Sequence, residues 1–519
     1  MKIEHNMSLT GEPPKRLSTV QKIATAIGWS GLFILILSIF NVNFPSYFSW
    51  ISLGLIGLGT IIFATDEYLG KPAGIHNNGV WFKVLTSRKA IAWGIGIMLT
   101  LFYIVLYWFP AYLGLNKNGE NSGLIALFDP FSLWITGNPA DQWFVYGVLY
   151  TVAIFFFGYK FILKYRHNNY EVLRTFSVMF FQLGFAFLIP QILLRLNEPY
   201  YNPVDIWPLN YDLFTAYQLK DFFSAGNLGL LMLFFGIAAI FIITPILTYK
   251  YGKRWYCSWV CGCGGLAETA GDPFRHLSDK RQIAWKVERW LVHSVLVFVV
   301  VMSIAVVYSY LGQNSNEFWL TRDLFLWLSA GFLTLLFALI MIFKRRELAK
   351  DAKYGAIGYL SIILFIFAIN YFSGTNIFFV DAYLIREWYG FFIGAIFSGV
   401  IGVGFYPIFG NRVWCRFGCP MAAILGMQQR LFSKFRITTN GGQCISCGNC
   451  STYCEMGIDV RAYAQKGENI VRSSCVGCGI CASVCPRGVL KLENGDREGR
   501  INSQEVFLGK DVDLMDYVN

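Results

Sequence analysis

All thirteen cysteines of the chain fall in four tight groups, and none lies elsewhere. That grouping is how metal ligation looks, not how a secreted disulfide framework looks. The densest signal is Cys444-x2-Cys447-x2-Cys450-x3-Cys454, followed by Cys475-x2-Cys478-x2-Cys481-x3-Cys485-Pro486. Three thiolates at these spacings wrap one face of a [4Fe–4S] cubane, and the fourth reaches across to the other cluster. The spacing therefore assigns Cys444, Cys447, Cys450 and Cys485 to one cluster, and Cys475, Cys478, Cys481 and Cys454 to a second. Gly448, Gly477 and Gly479 give the backbone room to turn and aim N–H groups at sulfur. A pair of zinc sites is the alternative, and eight thiols in this duplicated order disfavour it. One departure is visible: Glu455 follows the first fourth cysteine where the pattern puts proline.

The other two groups form an internal repeat. Gly252-Lys-Arg-Trp-Tyr-Cys257-Ser-Trp-Val-Cys261 matches Gly410-Asn-Arg-Val-Trp-Cys415-Arg-Phe-Gly-Cys419. In each copy an apolar run ends, and a Gly, an Arg, an aromatic and a Cys-x3-Cys pair follow. Duplicated half-sites in membrane proteins commonly meet at a pseudo-symmetric interface. In a helical turn each pair would place two thiols on one face, at the membrane edge. Cys257, Cys261, Cys415 and Cys419 together could hold an iron or iron–sulfur centre or another soft metal. Buried structural thiols, or a redox-labile disulfide, are the competing readings. Cys263 is a fifth thiol where the second copy has Pro420, and Arg254, Arg412 and Arg416 either offset thiolate charge or anchor the chain at the membrane surface.

The elements that must position these groups are set by composition. The chain has 519 residues, 55% hydrophobic, 18% aromatic and only 14% charged, against about 25% charged in an average soluble domain. Ten apolar runs have the length of membrane spans, at roughly 23–41, 47–65, 90–112, 142–163, 174–194, 227–248, 290–311, 324–343, 357–373 and 389–409. The fold class expected is a polytopic all-α membrane protein of about ten transmembrane helices with a C-terminal α+β ferredoxin domain of the bacterial 2[4Fe–4S] type. Its divisions are N-terminal transmembrane helices over 1–205, a duplicated transmembrane core over 206–435, the ferredoxin domain over 436–495 and a polar tail over 496–519.

The net charge of +11 raises the question of nucleic acid. The basic residues sit in short loops between apolar runs, so positive-inside topology and contact with anionic lipid account for them, and no nucleic-acid partner is expected. Lys83, Arg88 and Lys89, then Lys160, Lys164 and Arg166, then Lys344, Arg345 and Arg346 mark one side; Lys117, Lys220, Arg322 and Arg386 are nearly all that the other holds. Both termini should then be cytoplasmic. The N-terminal Lys15, Arg16 and Lys22 precede the first run without a cleavage site. The two long outside connections, about 114–141 and 195–226, either cap the protein or lie on the membrane surface.

Polar groups in or near spans, among them His293, Gln182, Gln191, Arg195, Asp129 and Asp381, are candidates for a quinone or proton role, each weighed against ordinary helix packing. Five histidines with no paired set in the spans argue against a bis-His haem, and no Cys-x2-Cys-His occurs. No phosphate-cradling glycine loop supports NAD or ATP.

Taken together, Cys-x3-Cys-Pro at 415–420, its partner at 257–261 and the tandem cysteine tail resemble the NosR/NapH-type membrane ferredoxins, and are similar to the related ferredoxins of cytochrome-oxidase assembly. The resemblance covers roughly 210–495. The first motif has Gly262-Cys263 in place of proline, the first four spans are additional, and the flavin-bearing domain of the NosR branch is missing from the sequence. The resemblance implies electron exchange with the quinone pool of a bacterial inner membrane, serving a flavoprotein, a reductase or a metalloenzyme's maturation, as a quinol dehydrogenase-type component. The same resemblance leaves open a factor that reduces a metal ion for insertion elsewhere, and an electron-wiring subunit of a larger complex.

Overall fold

In the computed structural model the described residues are 17–40, 42, 44–70, 90–116, 120–314, 318–348, 350–373, 380–440 and 443–494, with the backbone of 507–508 and 512–513. Lys15, Arg16, Lys83, Arg88, Lys89, Lys117 and nearly all of the 496–519 tail lie outside them. Among the described residues, ten helices are long and apolar enough to cross a membrane: Thr19–Ile39, Phe48–Tyr68, Ala90–Trp108, Gln142–Tyr165, Asn169–Arg195, Gly226–Tyr251, Gln282–Gln313, Arg322–Phe343, Lys350–Ser373 and Ala382–Ile401. The protein is multi-pass, and the expected number of spans is found. Most of each span's surface is left uncovered by the rest of the chain, as a lipid-facing helix requires. The eighth span is the extreme, 6% buried over its apolar window, so it lies at the periphery.

Helix starts follow their caps. Ser18 accepts from the Gln21 N–H while the Gln21 side chain accepts from the Ser18 N–H, a reciprocal pair that opens the first span. Asp141 caps the fourth span at the Phe144 N–H, 2.7 Å away. Two spans carry an internal proline, which cannot donate to the carbonyl one turn back and crowds it. In both, the turns just before are widened: Phe181–Leu188 ahead of Pro190, and Ala239–Ile243 ahead of Pro245. Such wide turns redirect side chains and gather at functional sites.

The 410–435 segment leads from the tenth span into a small C-terminal unit. There β1 (Phe435–Thr439) pairs antiparallel with β2 (Leu490–Asn494), Phe435 opposite Asn494 and Thr439 opposite Leu490. Between them lie short helices Asn449–Thr452, Val460–Lys466 and Ile480–Ser483, the first and last each opening after a left-handed glycine, Gly448 and Gly479. The sheet and helices close a ferredoxin-like unit. Its core is continuous with that of the membrane helices: Ile437, Ile458, Val460 and Val476 share one buried cluster with Ala239, Ile240, Met421 and Leu425. The connection before the sixth span joins that cluster too, through Ile206, and the buried Tyr256 hydroxyl donates to the Val204 carbonyl at 2.6 Å. This connection therefore packs inward against the core.

Candidate metal and cluster sites

Both copies of the repeat begin at a glycine with positive φ, Gly252 at 69° and Gly410 at 98°. A β-carbon at Gly252 would lie 2.7 Å from the Phe435 Cβ, and one at Gly410 would lie 2.5 Å from the Ser278 Oγ, so these two turns need glycine both for conformation and for space. Cys257 then ends the short helix Arg254–Cys257, and Cys261 caps the next helix, Gly262–Thr269. In the second copy Cys415 lies in the wide turn Trp414–Gly418, and Cys419 caps Pro420–Phe432, its Sγ accepting from the Ala422 N–H at 3.4 Å.

The expectation of two thiols on one helical face is thus corrected: each pair straddles a break between helices. Pro420 explains the second break, because the residue before proline is pushed out of helical conformation, and Cys419 is extended at φ −82°, ψ 111°. Gly262 packs against Gln182, about halfway along the fifth span, while Trp259 within the motif meets Tyr170 near the start of that span.

The four thiols are buried and share one cluster. Burial pushes Cys257 up to about 12, with Cys261 and Cys415 adding to the rise. Cys419 is raised well above its ordinary value by burial, then by Cys415, Cys257 and Cys261. Cys257, Cys415 and Cys419 thus resist ionisation as bare thiols, and a soft cation among them would favour the thiolate. The N-termini of two helices, at Cys261 and Cys419, favour thiolate as well. Buried thiols are donors of the kind a soft metal takes.

In the C-terminal unit, one cavity is lined by Cys444, Cys447, Cys450 and Cys485 with Ile445 and Pro486. Cys450 feels Cys485, Cys447 and Cys444, and Cys481 feels Cys475 and Cys454 ahead of Cys450. The thiols group as three consecutive cysteines plus the fourth from the other motif, twice, and the donor sets fit cubanes. Gly448, Gly477 and Gly479 all have positive φ, at 81°, 63° and 91°.

Between these sites lies a buried ionic network. The Glu268 Oε2 meets Arg174 and Arg275, both at 2.9 Å, and its Oε1 meets Arg412 at 2.6 Å. Glu455, fully buried, meets Arg275 at 2.9 Å and Arg412 at 3.0 Å. Asp272 pairs with Lys164 at 2.7 Å and Glu171 with Arg174 at 2.6 Å. The network ends on sulfur at both sides: an Arg412 Nη1 lies 3.5 Å from Cys415 Sγ, and an Arg275 Nη1 lies 4.0 Å from Cys478 Sγ. Burial works against the Glu268 carboxylate, but Arg174, Arg275 and Arg412 outweigh it and hold Glu268 well below the usual range. Glu455 is pushed up, by burial first.

Of the three arginines named from sequence, Arg412 is the one at a thiol. Arg416 pairs with Glu288 at 2.9 Å, and Arg254 lies over the Phe435 ring, so both tie elements together. Lys160 and Lys164 prove to lie inside the fourth span, Lys164 wholly buried, and so are ion-pair partners more than loop charges. Gln182 donates to Thr151, His293 bonds the Arg289 carbonyl within its own helix, Asp381 caps a helix at the Tyr383 N–H and Asp129 accepts from Asn121 and the Ala140 N–H. Arg195 donates to the Leu133 carbonyl, and Gln191 is half-buried on the fifth span. None of these six is brought to the cysteines except Gln182, through Gly262. Glu268, Arg275, Arg174 and Lys164 were not legible as site residues; Glu455 in a proline position was the one signal pointing to them.

Comparison with known proteins agrees with this geometry. A family described as a 4Fe–4S dicluster domain matches residues 443–490. A family described as a 4Fe–4S binding domain matches twice, over 232–281 and 389–438, one match for each copy of the repeat. YccM of Escherichia coli (strain K12), a candidate electron transport protein, is 40% identical over 53 residues, 10% of this chain and 15% of that one. The match thus spans about 15% of the length of that curated relative. No solved structure matches the chain. The chain carries ferredoxin-type 4Fe–4S domains on a multi-pass helical scaffold, and with them two [4Fe–4S] clusters.

Proposed function

We propose that the protein transfers electrons between the membrane quinone pool and a partner redox protein, through the two [4Fe–4S] clusters and a third, thiolate-held metal centre. Cys444, Cys447, Cys450 and Cys485 hold one cluster, Cys475, Cys478, Cys481 and Cys454 the other, and Cys257, Cys261, Cys415 and Cys419 the third centre. The observation that carries this reading is the single buried cluster that contains Cys257, Cys261, Cys415 and Cys419 together with Cys450, Cys475 and Cys481. Three thiol groups in one continuous core, linked by Arg412 and Arg275, suit a chain of redox centres.

Each [4Fe–4S] cluster supplies a one-electron couple, so a quinol surrenders its two electrons one at a time and releases two protons. The protein's own part is to fix the sulfur donors and to exclude water from them. It also sets fixed positive charge beside them: Arg412 at Cys415 and Arg275 at Cys478 stabilise added negative charge where their dielectric surroundings are low.

The test is iron and acid-labile sulfide content with EPR on purified protein, wild type against Cys257→Ser plus Cys415→Ser. Iron beyond two cubanes, or a third signal, lost only in the variant supports the third centre. Equal iron and two unchanged signals in both samples remove it. Reduction of the clusters by a quinol supports the link to the pool, and specific reduction of a metal ion with no response to quinol would replace this reading with that of a metal-reducing assembly factor.

A further inference from the structure

The fifth thiol of the membrane-embedded groups has no place in the three donor sets. Cys263 is exposed, although it sits on a helix, Gly262–Thr269, whose residues from Gly264 onward are all buried. Tyr103 and Tyr107 of the third span and Tyr146 and Tyr150 of the fourth all lie within electrostatic reach of its sulfur. The rings form one connected wall. Tyr103 and Tyr107 stack at 6.3 Å, Tyr103 meets Tyr146 edge-on at 6.0 Å, and Tyr146 meets Tyr150 at 5.4 Å. Tyr103 and Tyr146 also approach hydroxyl to hydroxyl at 3.5 Å.

The fifth span closes the site with Gln182, 6% exposed. Its Nε2 donates to Thr151 at 3.1 Å, while its Oε1 has no partner among the described residues and lies 2.5 Å from where a β-carbon on Gly262 would be. The Tyr150 hydroxyl likewise has no partner among the described residues, and its ring edge is 3.5 Å from that same position. Gln182 sits in the wide turns Phe181–Leu188, and the wide turns Gly390–Ile401 of the tenth span pack by Gly399 against Tyr103 and Tyr107. Polar groups inside a membrane bundle are costly unless satisfied, so polar atoms without a protein partner at a widened helix call for a ligand.

We propose that the space bounded by Cys263, Tyr107, Tyr146, Tyr150 and Gln182 binds the head group of a quinone; this rests on the exchange with the quinone pool argued above. The lining suits that class. Aromatic faces accept a flat ring, a tyrosine hydroxyl donates to a quinone carbonyl or accepts from a quinol, and an amide oxygen accepts from a quinol. The lining contains neither histidine nor methionine to ligate a haem iron, and no cation to hold an anionic lipid head group. Cys263 stands two residues from Cys261, which puts the ring beside the third thiol group.

The experiment uses the full-length protein in lipid nanodiscs, an azido-quinone photoprobe and peptide mapping. Variants Tyr150→Phe and Gln182→Leu, alone and together, keep size and apolar packing while removing the two free polar groups. The expected result is saturable labelling of the third or fourth span or of the 262–269 helix, competed by unlabelled quinone. In the double variant the apparent affinity falls about tenfold or more, as loss of two ligand hydrogen bonds implies, with unchanged cluster EPR. Labelling elsewhere, or labelling here that the double variant does not weaken, overturns the site. If the clusters are nevertheless reduced by quinol, the proposed function stands and its quinone binds elsewhere. Labelling here as expected, with no reduction of the clusters by quinol, keeps the site and removes the electron exchange.

Discussion

Glu455 stands where a ferredoxin motif ordinarily turns with proline, and read as a motif it is only a blemish. In the fold it supplies the carboxylate between Arg275 and Arg412, on two segments that belong to the membrane scaffold. Restoring the pattern with Glu455→Pro should therefore harm the protein. Two buried guanidinium groups would lose a shared partner, at a cost of about 3–5 kcal/mol, visible as a lower thermal unfolding midpoint in detergent. Glu455→Gln should cost less, because an amide oxygen still accepts from Asn411, which lies 3.1 Å from the carboxylate. An unchanged midpoint in both variants would mean that the network does not hold the unit in place. The crossed ligand sets give a second test at this scale. Cys485→Ser should degrade the cluster that its own motif does not build, the one with Cys444, Cys447 and Cys450, and Cys454→Ser the other. EPR that shows each substitution damaging the cluster of its own motif would refute the crossing.

Among elements, the repeat was legible as two matched strings, but its shape was not. Periodicity gives i and i+4 on one helical face only if the helix continues, and here both copies break between the cysteines. Pro420 could have signalled the break in the second copy. Nothing comparable stands in the first, where Cys261 is extended because the chain re-enters beside the fifth span. The left-handed glycines that open both copies were visible as residues, yet their necessity comes from neighbours far along the chain, Phe435 and Ser278. Gly410→Ala should cost about 1–3 kcal/mol from backbone conformation alone, with the clash at Ser278 added. Gly28→Ala, in the first span with nothing within 4 Å of its β-carbon position, should be neutral or stabilising. Equal effects of the two on the unfolding midpoint would remove the conformational argument.

At the scale of the molecule, the ten spans and the C-terminal cluster unit were readable because bilayer thickness and cubane geometry each impose a fixed length or spacing. The docking of that unit was not, since it depends on single contacts between distant segments. Tyr170, at the start of the fifth span, donates to the Gly477 carbonyl at 2.9 Å, Ser258 donates to the Val476 carbonyl at 2.8 Å, and Gln429 donates to the Cys475 carbonyl at 2.8 Å. All these anchors lie where the fourth span meets the fifth, or just after the sixth and tenth, which is one face of the bundle. Arg166 lies on that face, and Lys344, Arg345 and Arg346 end a span that alternation brings to the same side. Lys220, Arg322 and Arg386 lie at the opposite ends. From the positive-inside rule we propose that the cluster unit faces the cytoplasm. A C-terminal green fluorescent protein fusion should fluoresce, and a C-terminal alkaline phosphatase fusion should be inactive, while phosphatase inserted in the connection between the fifth and sixth spans should be active. The reverse pattern would put the clusters outside, where they could serve only an exported partner, and the electron path would have to run the other way across the bundle.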